Sequence, residues 1–209
     1  FRSSGDARRE AAALTAVAEA HIARKEPTAA RAAARQSVEL LQELKDTAGE
    51  KSALQLLVRS ELMDSGSSET AMQTAKEVVD RFRGEGDRRN EALALQTVAR
   101  THIAKKEYLR AARVAQDAQK ILSELGDTQG EIEMLRTAVD AHLARPEKDG
   151  KEDALRVATD ALSSFHRAGN GRGEALGLSI LAQVYVQRLE PETAVHVVRD
   201  AVALLRKLG

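Results

Sequence analysis

Apolar residues recur along this chain at the spacing of α-helices, and the segment 87–126 shows the pattern most clearly. One stripe follows positions i, i+3, i+4, i+7 and i+8, and consists of Leu95, Val98, Ala99, His102 and Ile103. After the short segment Lys106-Glu107-Tyr108, a second stripe consists of Ala111, Ala112, Ala115, Ala118, Ile121, Leu122 and Leu125. Gly126 suits the residue beyond a helix C-terminus, because glycine accepts the left-handed conformation there. The segment therefore predicts two helices joined by a short turn.

The same pattern returns about every 40 residues, and a short marker opens each unit. The markers are Gly5-Asp6, Lys45-Asp46, Gly86-Asp87, Gly126-Asp127 and Gly169-Asn170. A glutamate follows four residues after each marker: Glu10, Glu50, Glu91, Glu131 and Glu174. Such a period is typical of a stacked array rather than a single globular core. We predict one all-α array over residues 1–209, a superhelix of five antiparallel helix hairpins, with repeats of about 6–45, 46–86, 87–126, 127–169 and 170–209.

Residues at the helix boundaries support this division. Asp87 can accept backbone N–H bonds as an N-cap, and Glu91 in the first turn suits the positive end of the helix dipole. Pro27 and Pro191 stand where second helices should begin, a position that tolerates a missing N–H. Alanines repeat on the inward side of each second helix, which predicts close packing of the helix backbones.

Composition excludes several classes of protein. The chain has no Cys, so it has no disulfide, thiolate metal site or cysteine nucleophile, and a reducing, cytoplasmic setting is expected. Its 32 basic residues balance 32 acidic ones, and aromatics are 2% of the chain, which argues against nucleic-acid binding. No apolar run approaches the roughly 18 residues of a membrane span.

The repeat resembles the tetratricopeptide repeat (TPR) family. The first-helix motif of that family is matched by Leu95-x-x-Val98-Ala99-x-x-His102, and by Leu178-x-x-Leu181-Ala182-x-x-Tyr185 with the family's Tyr in place. The second-helix motif is matched by Ala111-x-x-x-Ala115 followed by Ala118. Because the family's Trp is absent and the period is near 40, the chain resembles the long-repeat branch. HEAT-type helical pairs have a similar period and are the alternative fold.

Three histidines share one phase of the repeat. His21, His102 and His142 each lie 15 residues after a marker, and Glu61 and Tyr185 occupy the other two places. Stacked helices would spread these side chains along a ladder, whereas a metal needs three or four converging ligands. We therefore interpret them as packing residues with local hydrogen bonds. The segment Gly169-Asn170-Gly171-Arg172-Gly173 has the look of a phosphate loop, but a helix precedes it where that loop needs a strand, so a cap and turn are predicted.

The TPR resemblance implies a concave binding face on the first helices. The residues it places there are Gln55, Arg59, Leu62, Met63, Gln96, Arg100, Ile103, Arg136, Asp140 and Gln183, with Thr15, Glu19, Ile22, Leu143, Ser179 and Val186 at the same offsets. Arg59, Arg100 and Arg136 would form a basic strip, which favours acidic or C-terminal-carboxylate peptides. Leu62, Met63 and Ile103 would add an adaptable apolar patch.

Two functions are consistent with these features. The first is a non-catalytic scaffold, without cofactor or metal, that binds a peptide or protein on this face. The alternative is a structural or regulatory arm of a larger signalling or transcriptional protein, with no groove ligand. No catalytic constellation of residues is identifiable, so no enzymatic activity is expected.

Both ends of the sequence resemble the inside of a longer array. Residues 1–6 repeat the form of Phe82 to Asp87, so we expect the segment to be cut from a longer protein. The last helix is apolar around much of its circumference, and part of that surface, including Val195 and Val202, should stay exposed. Since exposed apolar patches tend to find partners, we predict end-to-end self-association through residues 191–208.

Overall fold

The computed structural model describes residues 4–63, 68–147 and 149–208, and in these ranges it contains ten α-helices and no strand. The helices are α1 Ser4–Ala23, α2 Pro27–Glu43, α3 Thr47–Met63, α4 Ser68–Gly84, α5 Arg88–Ala104, α6 Tyr108–Glu124, α7 Thr128–Leu143, α8 Asp149–Arg167, α9 Gly171–Gln187 and α10 Pro191–Leu208. The odd-numbered helices are called A helices and the even-numbered ones B helices. The prediction of an all-α repeat fold is thereby confirmed.

The helices form two compact units, Phe1–Lys105 with α1 to α5 and Lys106–Gly209 with α6 to α10. Within each unit, every helix packs on the next one along the chain. In the first unit α3 also packs on α1 and α5, and in the second α7 packs on α9. The A helices of a unit therefore lie side by side, and each B helix lies between two successive A helices or at an end.

The same inward position on every B helix is an alanine, which is what lets the backbones approach closely. These alanines are Ala30, Ala71, Ala111, Ala154 and Ala194, and all are buried. Large side chains fill the space near the end of the B helices, where Phe82, Leu122 and Phe165 are buried. Leu122 lies beside Gly130 and Phe165 beside Gly173, each in the next A helix. Small residues set the distance between helices and large ones fill the remaining space, as close packing requires.

The markers turn out to be two helix caps in succession. Gly86, Gly126 and Gly169 have φ of 72°, 70° and 64°, and Lys45 has 53°, so each ends a B helix in the left-handed conformation. The following Asp or Asn caps the next helix: the side-chain oxygens of Asp46, Asp87, Asp127 and Asn170 accept backbone N–H groups at 2.9–3.0 Å. The Asp87 cap is confirmed, and Gly169 and Asn170 form a cap as predicted, but the predicted turn is shorter than expected because Gly171, Arg172 and Gly173 already belong to α9.

Two boundaries differ from the sequence prediction. Helix α1 begins at Ser4, so Asp6 lies in its first turn and does not precede the helix. Tyr108, predicted to belong to a turn, is the first residue of α6. At the turn before it, Lys106 takes the left-handed conformation with φ of 60°, as Lys25 does before α2. A left-handed residue therefore ends A helices as well, without glycine at that position.

The glutamate after each marker does more than suit the helix dipole. Glu50, Glu91 and Glu131 are buried, and each reaches back to the preceding B helix, eight residues earlier in the chain. Gln42 Nε2 donates to Glu50 at 2.7 Å and Arg83 Nε donates to Glu91 at 2.8 Å. At the same place in the other two repeats, the Ser123 hydroxyl lies near Glu131 and His166 Nδ1 lies 3.2 Å from Glu174 Oε1. This contact, which we call the i+8 link, joins the end of a B helix to the first turn of the next A helix.

None of the helices, within the ranges given above, is both long and apolar enough to cross a bilayer.

Candidate functional site

In the first unit, the A helices α3 and α5 border an open groove of about 320 Å³. Gln55, Leu56, Val58 and Arg59 line it from α3, and Thr97 and Arg100 from α5. Leu56 and Val58 are buried and form an apolar floor. Gln55, Arg59 and Arg100 were predicted for the concave face, and the structure places all three in this one groove.

Arg59 and Arg100 lie at the same height because both follow their markers by 13 residues. Both side chains are exposed, and no ion pair with any residue that the structure describes engages either guanidinium. Two cationic forks above an apolar floor form a site suited to a carboxylate with an apolar neighbour. Sequence reasoning missed Leu56, Val58 and Thr97, which line the groove without belonging to the expected offsets.

Several other predicted residues offer less surface than expected. Gln96 is only 6% exposed and Ile22 is buried, so neither presents its side chain on the face. The Thr15 hydroxyl lies 2.8 Å from the Ser37 hydroxyl of α2, which turns it toward the B helix. Met63 is half-buried against the core of α1 to α3. Met63, a member of the predicted apolar patch, is therefore partly buried in the core and not fully available on the face.

Ile103 and Leu62 are the remaining members of the predicted apolar patch. Ile103 is half-buried on α5. The side chain of Leu62 lies outside the described residues.

The second unit carries the other predicted positions on α7 and α9. Arg136 and Asp140 are exposed on α7, and Gln183 is exposed on α9. Gln183 Nε2 donates to Asp140 Oδ1 at 3.4 Å, so these two side chains bridge adjacent A helices. Arg136 belongs to this unit, whereas Arg59 and Arg100 belong to the first.

The histidine ladder has the packing role expected of it in two places. His21 Nδ1 lies 2.7 Å from Glu26 Oε2, across the turn between α1 and α2. His142 is buried, as expected of a packing residue, but its Nδ1 lies 3.9 Å from Asp153 and has no hydrogen-bond partner among the described residues. Burial lowers the pKa of its imidazole. Among the residues described, no group of three or more His, Cys, Asp or Glu side chains could hold a metal ion.

The ladder position on α3 is a buried carboxyl, that of Glu61. The hydroxyl of Thr74 and the guanidinium groups of Arg31 and Arg35 lie near it, with Arg35 at 4.0 Å. Thr74 approaches without reaching ordinary geometry, so neither carboxyl oxygen makes a full hydrogen bond within the described ranges. Burial therefore raises the pKa of Glu61.

A second open groove, of about 510 Å³, lies between α9 and α10 in the second unit. Its walls are mostly apolar: Ala182 and Val186 come from α9, and Val195 and Val198 from α10. Val195 is 49% exposed and Val202, further along α10, is 41% exposed. These are the two residues expected to remain exposed on the last helix.

Comparison with known proteins identifies the fold only. No family model matches the chain, and no curated protein matches it. Two solved structures of a Podospora anserina putative kinesin light chain with nearly identical TPR-like repeats are similar to it at 12% identity. Their TM-scores are 0.65 and 0.64, with 100% and 94% of this chain covered and 99% and 94% of theirs.

The apo form of RapI is similar at 12% identity and a TM-score of 0.52, over 96% of this chain and 84% of that one. With ten described helices in A–B alternation and repeat proteins as its structural neighbours, the chain has a TPR-like helical-repeat fold.

Proposed function

We propose that this chain is a non-catalytic protein-interaction scaffold that binds an acidic peptide segment in the groove between α3 and α5. One observation supports this above all others. Arg59 and Arg100 project at equal heights from adjacent helices, with no ion pair to a described residue, over the buried apolar side chains of Leu56 and Val58. Guanidinium groups that stabilised the fold would instead be expected to face carboxylates within it.

The chemistry of the groove selects the kind of segment it takes. A hydrogen bond between a guanidinium and a carboxylate contributes about 1.5–3 kcal/mol. Gln55 and Thr97 add neutral polar groups at the rim, which suit the peptide backbone. A volume of about 320 Å³ holds only a few residues, so the segment is short: one or two carboxylates beside one apolar side chain.

The test is a binding titration with a library of labelled peptides that have free C-termini, read by fluorescence anisotropy. Peptides ending in an acidic and an apolar residue should bind, and their amidated or Asn/Gln counterparts should bind at least tenfold more weakly. Affinity should also fall with added salt, because exposed charges are screened over about 10 Å at 0.1 M. Arg100→Glu and Arg59→Glu should each weaken binding at least tenfold, as expected for the loss of about 1.4 kcal/mol or more.

Lys76→Glu is the matched control. Lys76 is an exposed cation on the B helix α4 of the same unit, so the change in net charge is identical but lies away from the groove. If Lys76→Glu weakened binding as much as Arg100→Glu, the effect would be long-range electrostatics and groove binding would be refuted. If no acidic peptide bound to the wild-type chain, the alternative of a structural or regulatory arm would be favoured.

A further inference from the structure

Among the described residues the same helix–helix contact occurs four times, and helix α10 exposes the residues that form one half of it elsewhere. In each case an A helix packs on the B helix before it: α3 on α2, α5 on α4, α7 on α6 and α9 on α8. Eleven residues after the shared inward alanine, these B helices carry Leu41, Phe82, Leu122 and Phe165, which are 5%, 0%, 0% and 2% exposed. Leu205 has the equivalent place on α10 and is 46% exposed.

The next equivalent position gives the same result. Four residues after the inward alanine, the first four B helices carry buried alanines, namely Ala34, Ala75, Ala115 and Ala158. The equivalent residue of α10, Val198, is 46% exposed. The repeat contact thus defines what covers this face elsewhere in the molecule: the A helix of a following repeat.

Helix α1 carries the complementary half. Seven residues after the marker, Ala53, Ala94 and Met134 are buried. At the same place on α9, a Cβ on Gly177 would meet Leu162 of the B helix before it. Fourteen residues after it, Ser60, Thr101, Ala141 and Val184 are also buried. The equivalent residues of α1, Ala13 and Ala20, are exposed, and so are Ala16 and Val17 between them. Helix α1 is an A helix with no described B helix before it.

We infer that α10 of one copy of this chain binds α1 of a second copy, repeating the contact between α2 and α3. At the positions compared above the volumes are compatible, because α10 presents Val198 where the first four B helices have alanine, and α1 presents Ala13 and Ala20 at the two positions that are buried in the other A helices. Since the two surfaces are different, the contact is heterologous. It leaves one α10 and one α1 free, so assembly continues beyond a dimer.

The charges are matched as well. The i+8 link joins Gln42, Arg83, Ser123 or His166 of a B helix to the glutamate of the next A helix. Arg206 has that B-helix place on α10, and Glu10 has the glutamate place on α1. Arg206 of one copy would therefore donate to Glu10 of the next, as Arg83 donates to Glu91 within the first unit. This inference does not depend on the proposed peptide-binding groove.

The experiment is sedimentation velocity of the 209-residue chain over a concentration series. Wild-type protein should show a weight-average mass that rises with concentration past that of a dimer. Val195→Glu with Val202→Glu should make the chain monomeric because it disrupts the α10 face. Ala13→Glu with Ala20→Glu should also make it monomeric, because it disrupts the α1 face. Helical circular dichroism should be unchanged in both. The control is Ala203→Glu, because the position is exposed on α10 and on every other B helix.

Mixing the two monomeric variants decides the geometry. Each retains one intact face, so an equimolar mixture should form a 1:1 dimer that grows no further. Arg206→Glu should weaken assembly several-fold more than Lys207→Glu at the neighbouring, always exposed position. A wild-type chain that stays monomeric at high micromolar concentration would overturn the inference. A dimer that survives Ala13→Glu with Ala20→Glu would also overturn it, since that result means that α10 pairs with α10.

Discussion

Gly173 of α9 lies close against Phe165 of the preceding B helix α8, and Gly173→Ala tests this contact between repeats. Gly173 lies in the first turn of α9, where its N–H is capped by Asn170 at 2.9 Å. A Cβ at this residue would lie 2.5 Å from Cδ1 and 2.9 Å from Cε1 of Phe165. Since Phe165 is buried and cannot swing into solvent, the two helices must separate or the ring must leave its rotamer.

The magnitude follows from two opposing effects. Overpacking of this kind costs about 1–3 kcal/mol. Replacing glycine by alanine within a helix stabilises the folded chain by up to about 1 kcal/mol through backbone entropy. Gly173→Ala should therefore destabilise the chain by about 0–3 kcal/mol. Gly84→Ala provides the control, because Gly84 is also helical and a Cβ there would meet nothing within 4 Å. That variant should gain up to about 1 kcal/mol.

The assay is thermal unfolding followed by circular dichroism, with Gly173→Ala and Gly84→Ala measured side by side. Their difference cancels helix propensity and isolates the clash at about 1–3 kcal/mol, or roughly 2–12 °C in Tm for a chain of this length. Adding Phe165→Leu should shrink that difference, because Leu122 occupies the equivalent place against Gly130 in the same unit. A Gly173→Ala variant as stable as Gly84→Ala would refute the close-approach reasoning.

Two further predictions concern single polar groups. Burial raises the pKa of Glu61 above its ordinary value of 4.5, so the folded chain holds the carboxyl proton more tightly than the unfolded chain does. The stability that protonated Glu61 contributes is therefore present below pH 4.5 and is lost as the pH rises through the folded-state pKa. Glu61→Gln should therefore raise Tm at pH 7 and lose that advantage as the pH falls toward 4.5, whereas Glu19→Gln at an exposed site should change nothing; equal Tm gains at both pH values would contradict this. Asp127→Ala removes the cap on the Gly130 N–H and should cost about 1 kcal/mol in a denaturant titration, while Asp117→Ala on exposed α6 should leave stability unchanged or slightly higher.

The sequence predicts the helices and their turns well because the chemistry there is local. An Asp or Asn after a left-handed residue caps the next helix whatever surrounds it, so Asp87, Asp127 and Asn170 could be assigned from spacing alone. Asp6 shows the limit of this reasoning. The residues Ser4 and Gly5 before it continue the helix, and nothing at the marker itself distinguishes a cap from a first-turn residue.

Side-chain exposure is harder to predict because it depends on how each helix is rotated about its axis. Gln96 and Gln55 share one offset from their markers, yet Gln96 is buried and Gln55 is half-buried. A rotation of a few tens of degrees is enough to move a residue at the border of a stripe from the face to the interior. The glutamates of the i+8 link were visible as a repeat, but their partners differ in every unit: Gln42, Arg83, Ser123 and His166. A hydrogen bond whose donor residue changes from repeat to repeat leaves no pattern in the sequence.

The repeat contact also indicates how strong the proposed assembly should be. Within the chain, the large residue of a B helix faces Gly49, Gly130 or Gly173 of the next A helix. The equivalent residue of α1 is Arg9, which is exposed and pairs with Asp6 at 2.8 Å. In α5 that place is filled by Asn90 while Phe82 remains buried, so a side chain there is compatible with the contact. Arginine is larger still, so Leu205 should approach α1 less closely than Leu122 approaches α7. The contact between copies should therefore be weaker than the internal contacts that it repeats, and assembly should be reversible and dependent on concentration.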